Sequence, residues 1–352
     1  MLPKPTKEQH LLFDLLKGVS PSSLEGIATT ILFDLVRRHR LFPMAPTLLP
    51  LLEEGERERW KKAIQTRTIR SMHQLSVLGQ ITEALEKAGI ESISMKGPVL
   101  AHDLFGNLGE RHSSDLDLLV RKEDIQSIIE LLGARGFNLH YPRTGLSARQ
   151  WDYYYRYKKD IGLFSKEHGL MVEVHYSIEN YMGLESSAVD RFLQNAVEST
   201  IGGGNFRCMN RQQNFLYLSF HGAVHQYRRL FWLRDIAAAI NNWQLDHQQI
   251  LEEAQRMGID RMLGVSLVLA RELCSVELPL AYSSYLEENR KVIGKLKRAS
   301  VGMILGPEFL TFRGKISHHL FMLRSKPELK HYLRTAIEIL NRQYIGKFLG
   351  GH

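Results

Sequence analysis

The sequence predicts an α+β protein, a small mixed β-sheet with helices, flanked by an N-terminal and a C-terminal helical region. Three observations carry that prediction. Apolar residues recur at helical spacing over residues 9–88, and short strand-like runs mixed with helical stretches follow from Gly89. Helical spacing then resumes after Gly202, Gly203 and Gly204. The expected segments are therefore 1–88, 89–200 and 205–352.

In the first segment Leu11, Leu12, Leu15 and Leu16 mark one helix, residues 22–40 a second, and 56–88 a long amphipathic third. Ser20, Pro21 and Ser22 punctuate the first two, with Ser22 as the expected cap of the second. Pro43, Pro46 and Pro50 interrupt the chain before the third. In the middle segment, residues 90–95 read as a strand that ends in Lys96-Gly97-Pro98, and 99–104 as a short helix. A strand over 116–120 precedes a helix over 122–135 that stops at Gly136, and 137–141 reads as another strand. Two more strands, 160–165 and 170–178, are joined by Lys166-Glu167-His168-Gly169 as a hairpin connection. Helices are expected over 212–226, 230–243 and 246–257, and the helical pattern runs almost to the end, with no internal repeat.

Composition bounds the function. A chain of 352 residues with 44% hydrophobic and 24% charged residues has the make-up of a soluble globular protein. The formal charge of +8 favours polyanionic or phosphorylated partners. Only Cys208 and Cys274 are present, far apart and outside any CxxC spacing, which gives neither a disulfide framework nor a structural zinc site any support. The N-terminus MLPKPTKEQH has charges and prolines where a signal peptide needs an apolar run, and no stretch approaches the ~20 apolar residues of a membrane span. The expectation is a soluble cytoplasmic protein with neither membrane nor disulfide partners.

Chemistry concentrates in HSSDLDLLV, residues 112–120. In a strand Asp115 and Asp117 share a face, with Leu116, Leu118 and Val120 opposite. Carboxylates this close are tolerable if exposed, protonated, salt-bridged or shared by a cation. The plainer reading is a surface pair at a strand end. The later run MVEVHYSI adds Glu173 and His175 on one face, with Val172, Val174, Tyr176 and Ile178 on the other. If that strand neighbours the first, three carboxylates converge, which is enough oxygen density for two Mg²⁺ ions. Upstream, Gly97 lets a phosphate approach the backbone near a helix N-terminus, although Gly-Pro is also ordinary turn punctuation.

Taken in order, MKGPVLAHDLFG, ERHSSDLDLLV, VEVHYSI and FLYLSFHGAVHQYRRLFWLRDIAAAI resemble the polymerase-β-like nucleotidyltransferase superfamily and, more closely, the uncharacterised bacterial nucleotidyltransferase family NTP_transf_5, over residues 90–240. The resemblance implies a nucleotidyltransferase core in the middle segment and a nucleoside triphosphate (NTP) as substrate. It implies that Asp115, Asp117 and Glu173 are catalytic metal ligands for two Mg²⁺ ions, with Mn²⁺ as an alternative, and that Glu173 accepts the acceptor's proton. Lys96, Gly97, Arg111 and Ser114 are the implied phosphate partners. NMP would pass to a small-molecule, protein or RNA hydroxyl. One departure is Pro98, which stands where the superfamily usually has Gly or Ser and offers neither hydroxyl nor N–H.

His221 and His225, four residues apart, are expected as packed or hydrogen-bonded residues rather than zinc ligands. Asp235, with Arg234, matches a family position that orients the helical domain. Arg228 and Arg229 either contact a nucleotide or form a solvated helix face. Two alternatives stand beside the enzyme reading. One is a catalytically weak nucleotide-binding regulatory protein. The other is an RNA (tRNA)-directed nucleotidyltransferase, motivated by the basic charge but without an RNP-type signature.

Overall fold

The structure, a computed structural model, describes residues 4–178, 187–307, 312–325 and 333. Its α-helices and strands, in chain order, are α1 Lys7–Leu16, α2 Thr29–His39, α3 Glu54–Lys87, β1 Ser92–Ser94, α4 Gly97–Phe105, β2 Asp115–Val120, α5 Ile125–Gly133, β3 Asn138–Tyr141, α6 Ala148–Tyr157, β4 Asp160–Ser165 and β5 Leu170–His175. They continue as α7 Ser187–Gln194, β6 Val197–Ile201, β7 Gly204–Cys208, α8 Arg211–Val224, α9 Phe231–Asn242, α10 His247–Arg256, α11 Asp260–Cys274, α12 Ser283–Glu288, α13 Arg290–Leu305 and α14 Phe312–Arg324. The expected helical pattern after Ser325, Leu333 apart, lies outside the described residues. No described helix is long and apolar enough to cross a membrane.

The chain divides into two compact units, one of which contains Ile69–Gln213. In that unit seven strands form a mixed sheet in the order β3-β4-β5-β2-β1-β7-β6. β2 is central, flanked by β1 antiparallel and β5 parallel. Its central place explains its sequence: Leu116, Leu118, Leu119 and Val120 are all buried, because helices and neighbouring strands cover both faces. The core comprises Val77, Leu78, Ile81 and Leu85 of α3, Ile125, Ile128 and Leu132 of α5, and Tyr154 of α6, packed with Leu116, Leu118, Val172 and Val174. The outer strands β3 and β6 carry mostly exposed or half-exposed residues, as edges do.

The sheet is larger than the sequence reading expects. After Ile201 the glycines do not open a helix: Gly202 and Gly203, with φ of 59° and 82°, form the tight turn of a hairpin in which Ile201 faces Gly204. β7 then pairs parallel to β1 through Ser94 and Cys208. Two left-handed residues in a row favour glycine, which is why this composition marks a turn between strands.

The other unit is built from residues up to Thr68 and from Asn214 to Tyr332, and its described elements are helical. Trp60 is fully buried, with Phe33 and Phe42 edge-on at 5.2 and 6.1 Å. Arg59 and Arg67 cover the outer faces of Phe33 and Phe42 at 3.9 and 3.8 Å. Arg38 donates to the carbonyls of Met303, Ile304 and Gly306, satisfying the open end of α13.

Ser22 does not cap the second helix. Residues 22–28 are not helical; Ser23 Oγ instead accepts the Glu25 N–H at 3.0 Å, a local bond that competes with helix, and α2 starts after Ala28 with no side-chain cap. Residues 122–124 form a 3-10 turn ahead of α5, and prolines hold Phe42–Leu51 in the same tighter geometry.

Candidate active site

β2 and β5 run side by side in parallel register, with Asp117 opposite Glu173 and Leu118 opposite Val174. Opposite residues project to the same face, so this register brings the two acids together and sends the leucine and valine into the core. Asp117 is 3% exposed, whereas Asp115, at the start of the strand opposite Met171, is half-buried. The expected placement of both aspartates on one face follows from this strand geometry.

His175 Nε2 lies 3.0 Å from Asp117 Oδ1 and 3.7 Å from Glu173 Oε2, while its Nδ1 is 3.6 Å from Asp160 Oδ2. Lys96 Nζ contacts the same Asp117 Oδ1 at 2.9 Å. The second oxygen, Asp117 Oδ2, is buried and has no hydrogen-bond partner among the described residues. Tyr141 donates its hydroxyl to Glu173 Oε1 at 2.9 Å.

These contacts set opposite electrostatics on the two acids. Burial pushes Asp117 up, but the Lys96 charge and the His175 hydrogen bond outweigh it and hold the carboxyl well below its usual range. Glu173 moves the other way. Burial first, and then the Asp117 charge, raise it, and its Tyr141 donor brings no positive charge. Burial, followed by the charges of Asp160 and Glu173, also raises Tyr141, which therefore keeps its proton.

The loop before β2 is anchored from α3. Gln74 donates to the Ser113 carbonyl at 3.3 Å, and Arg70 to the Ser114 carbonyl at 3.1 Å. Ser113 Oγ bonds the Asp115 backbone carbonyl at 2.8 Å, and Ser114 Oγ reaches Asp115 Oδ2 at 3.1 Å. Asp115 is thus tied to the two serines, whereas Asp117 is tied to Lys96 and His175.

Ligand atoms of Asp117, Glu173 and His175 lie within 4.8 Å of one another, a group that can hold a metal ion among the described residues. The donor set, carboxylate oxygens with an imidazole nitrogen, fits a divalent cation, and such an ion would satisfy the orphaned Asp117 Oδ2. Asp115 is outside this group, and His221 and His225 are in no such group among the described residues. His225 stacks on Trp232 at 5.1 Å and meets His221 edge-on at 4.7 Å, which is aromatic packing.

Of the expected phosphate partners, Lys96 contacts the cluster at Asp117, and Ser114 bonds Asp115. Lys96 is the residue before α4; Gly97 has φ +71°, and a Cβ there would meet open space, so the backbone conformation is what requires glycine. Arg111 is buried, at 5% exposure, and Asp235 is buried in the helical unit. A cavity of about 600 Å³ lined by Glu83, Glu86, Glu91 and Arg207 contains none of these side chains.

Three site residues escape the sequence reading of function. His175 is visible at period two from Glu173, yet its partner is not. Tyr141 and Asp160 come to the cluster only through strand order.

A glycine turn after one strand, an aspartate pair on the next and an acid on its parallel neighbour, all within a mixed sheet, are consistent with a nucleotidyltransferase-like α+β core. The chain belongs to NTP_transf_5, an uncharacterised nucleotidyltransferase family whose model matches residues 27–275. That match extends beyond the motifs on both sides. Comparison with curated proteins finds no match.

Proposed function

We propose that this chain transfers a nucleoside monophosphate from an NTP to a hydroxyl-bearing acceptor, using two Mg²⁺ ions that Mn²⁺ can replace. One observation carries the reading: Asp117 and Glu173 stand opposite each other in parallel register, and a buried Asp117 oxygen lacks any hydrogen-bond partner among the described residues. A buried anionic oxygen without a donor is costly unless a cation satisfies it. Asp117, Glu173 and His175 would hold the metal, with Asp115 contributing from the same face of β2. A bound divalent cation supplies Lewis-acid stabilisation of the phosphate oxygens and of the attacking oxygen.

The protein's own groups do the rest. The acceptor oxygen bonds to the α-phosphorus, the bond from that phosphorus to the bridging oxygen breaks, and pyrophosphate leaves. Glu173 takes the acceptor's proton, a role that suits a carboxylate whose affinity for protons is raised by burial and by Asp117. Lys96 and Arg111 contribute positive charge to the phosphates, while Gly97 and Ser114 line their approach.

The test supplies each α-labelled NTP with Mg²⁺ or Mn²⁺ and a cell extract, and follows the label. Asp117→Asn should cut transfer by roughly 100-fold or more while the melting curve stays cooperative. Retained transfer in the purified Asp115→Asn/Asp117→Asn double variant would sink the proposal. A second reading, a nucleotide-binding regulatory protein without turnover, draws support from Lys96, whose ammonium already sits on Asp117 Oδ1, and from Pro98, which lacks a backbone donor. Calorimetry separates the two: NTP binding without pyrophosphate release favours the regulator.

A further inference from the structure

Tyr141, Gly162 and Glu173 form one row across three neighbouring strands. Tyr141 of β3 faces Gly162 of β4, and Gly162 faces Glu173 of β5. A Cβ built on Gly162 would overlap Cε1, Cζ and Cδ1 of the Tyr141 ring, so the ring crosses the middle strand directly over the glycine backbone. Gly162 is not in the left-handed region, so what it provides is room. At the far side of that gap the Tyr141 hydroxyl donates to Glu173 Oε1 at 2.9 Å.

The consequence is that the two oxygens of Glu173 are no longer equivalent. Oε1 is occupied by the phenol, and Oε2 is the oxygen that faces His175 Nε2 at 3.7 Å, on the side of Asp117. An unanchored glutamate has three rotatable bonds and would sample other orientations. We propose that Tyr141 is a positioning residue for the third carboxylate: through the gap at Gly162 it locks Glu173 so that one oxygen is presented to the metal held with Asp117 and His175. This rests on the reading of that cluster as a metal site. Outer partners that orient a metal ligand commonly govern its affinity by 10- to 100-fold.

The experiment measures Mn²⁺ binding by calorimetry and electron paramagnetic resonance in the full chain without nucleotide, and then the Mn²⁺ dependence of transfer. Tyr141→Phe keeps the ring over Gly162 and removes only the hydroxyl. It should weaken Mn²⁺ binding by about 10- to 100-fold, and raising Mn²⁺ should restore kcat, which a general packing defect would not allow. Gly162→Ala should produce a similar loss with the hydroxyl still present, and the double variant should lose little beyond either single change. Unchanged Mn²⁺ affinity in a folded Tyr141→Phe protein overturns the inference and leaves the proposed function standing. Failure of the unaltered chain to bind Mn²⁺ overturns both. Label recovered covalently on Tyr141 also overturns the positioning role, since the tyrosine would then be an acceptor.

Discussion

The Glu173 carboxyl lies largely buried beside an ionised Asp117, and burial followed by that charge raises its pKa above the unfolded value. The folded chain therefore binds more protons than the unfolded chain over that window, and stability contributed by the neutral acid is lost as pH rises through the folded pKa. The cost grows as the acid ionises with rising pH. Glu173→Gln should stabilise the metal-free fold at neutral pH by about 1 kcal/mol, and that advantage should vanish as pH falls below the ordinary carboxylate range. Melting curves across pH check this. A variant that melts below the parent at neutral pH would show that the carboxylate is better satisfied than its contacts imply. Much of this chemistry is legible in sequence, because Asp115, Asp117, Glu173 and His175 follow a period of two. The rest is not. That Tyr141 reaches Glu173 depends on which strands are neighbours and on the absence of a side chain at Gly162, neither of which leaves a local pattern.

At the scale of elements, the proposed function would have the turn from β1 into α4 grip the triphosphate. Gly97 supplies the left-handed backbone, and Pro98 follows in the first helical turn, where its fixed φ is favourable but its missing N–H removes one donor from the end that attracts anions. A hydrogen bond to a charged group contributes about 1.5–3 kcal/mol. Pro98→Ser, which returns an N–H and adds a hydroxyl, should therefore tighten NTP binding by roughly 10-fold or more, against a small loss of stability from the more flexible chain. Equal affinity in the two proteins would place the triphosphate away from this turn. Element types were readable where pattern and punctuation agreed: β4 falls on residues 160–165 as expected, and α3 and α8 lie close to their expected bounds. Elements were missed where the signals conflict. α6 is rich in Trp and Tyr, residues that favour strands, and only the Ser147 and Gln150 capping box declares it a helix. The β6–β7 hairpin hides behind three consecutive glycines.

For the whole molecule, two electrostatic effects oppose each other as an NTP approaches. The surplus of +8 attracts a triphosphate, whereas the acids at the candidate site repel it. Range decides the contest. At about 0.15 M salt the Debye length is about 8 Å, so charge spread over a 352-residue surface is largely screened, while the ligand atoms of Asp117, Glu173 and His175 lie within 4.8 Å of one another. The local repulsion should win until a divalent cation neutralises it. Chelation should therefore weaken NTP binding by at least about 10-fold at ordinary salt. Lowering ionic strength to about 0.01 M extends the Debye length to about 30 Å and lets the whole surplus act, so affinity with Mg²⁺ should rise several-fold. The chelated protein should gain far less, because the site's acids are unscreened by the same change. A salt titration of NTP affinity with Mg²⁺ and with EDTA reads both arms. Affinity indifferent to chelation at every salt concentration would mean that the triphosphate binds away from Asp117 and Glu173, and the candidate site would fall with it.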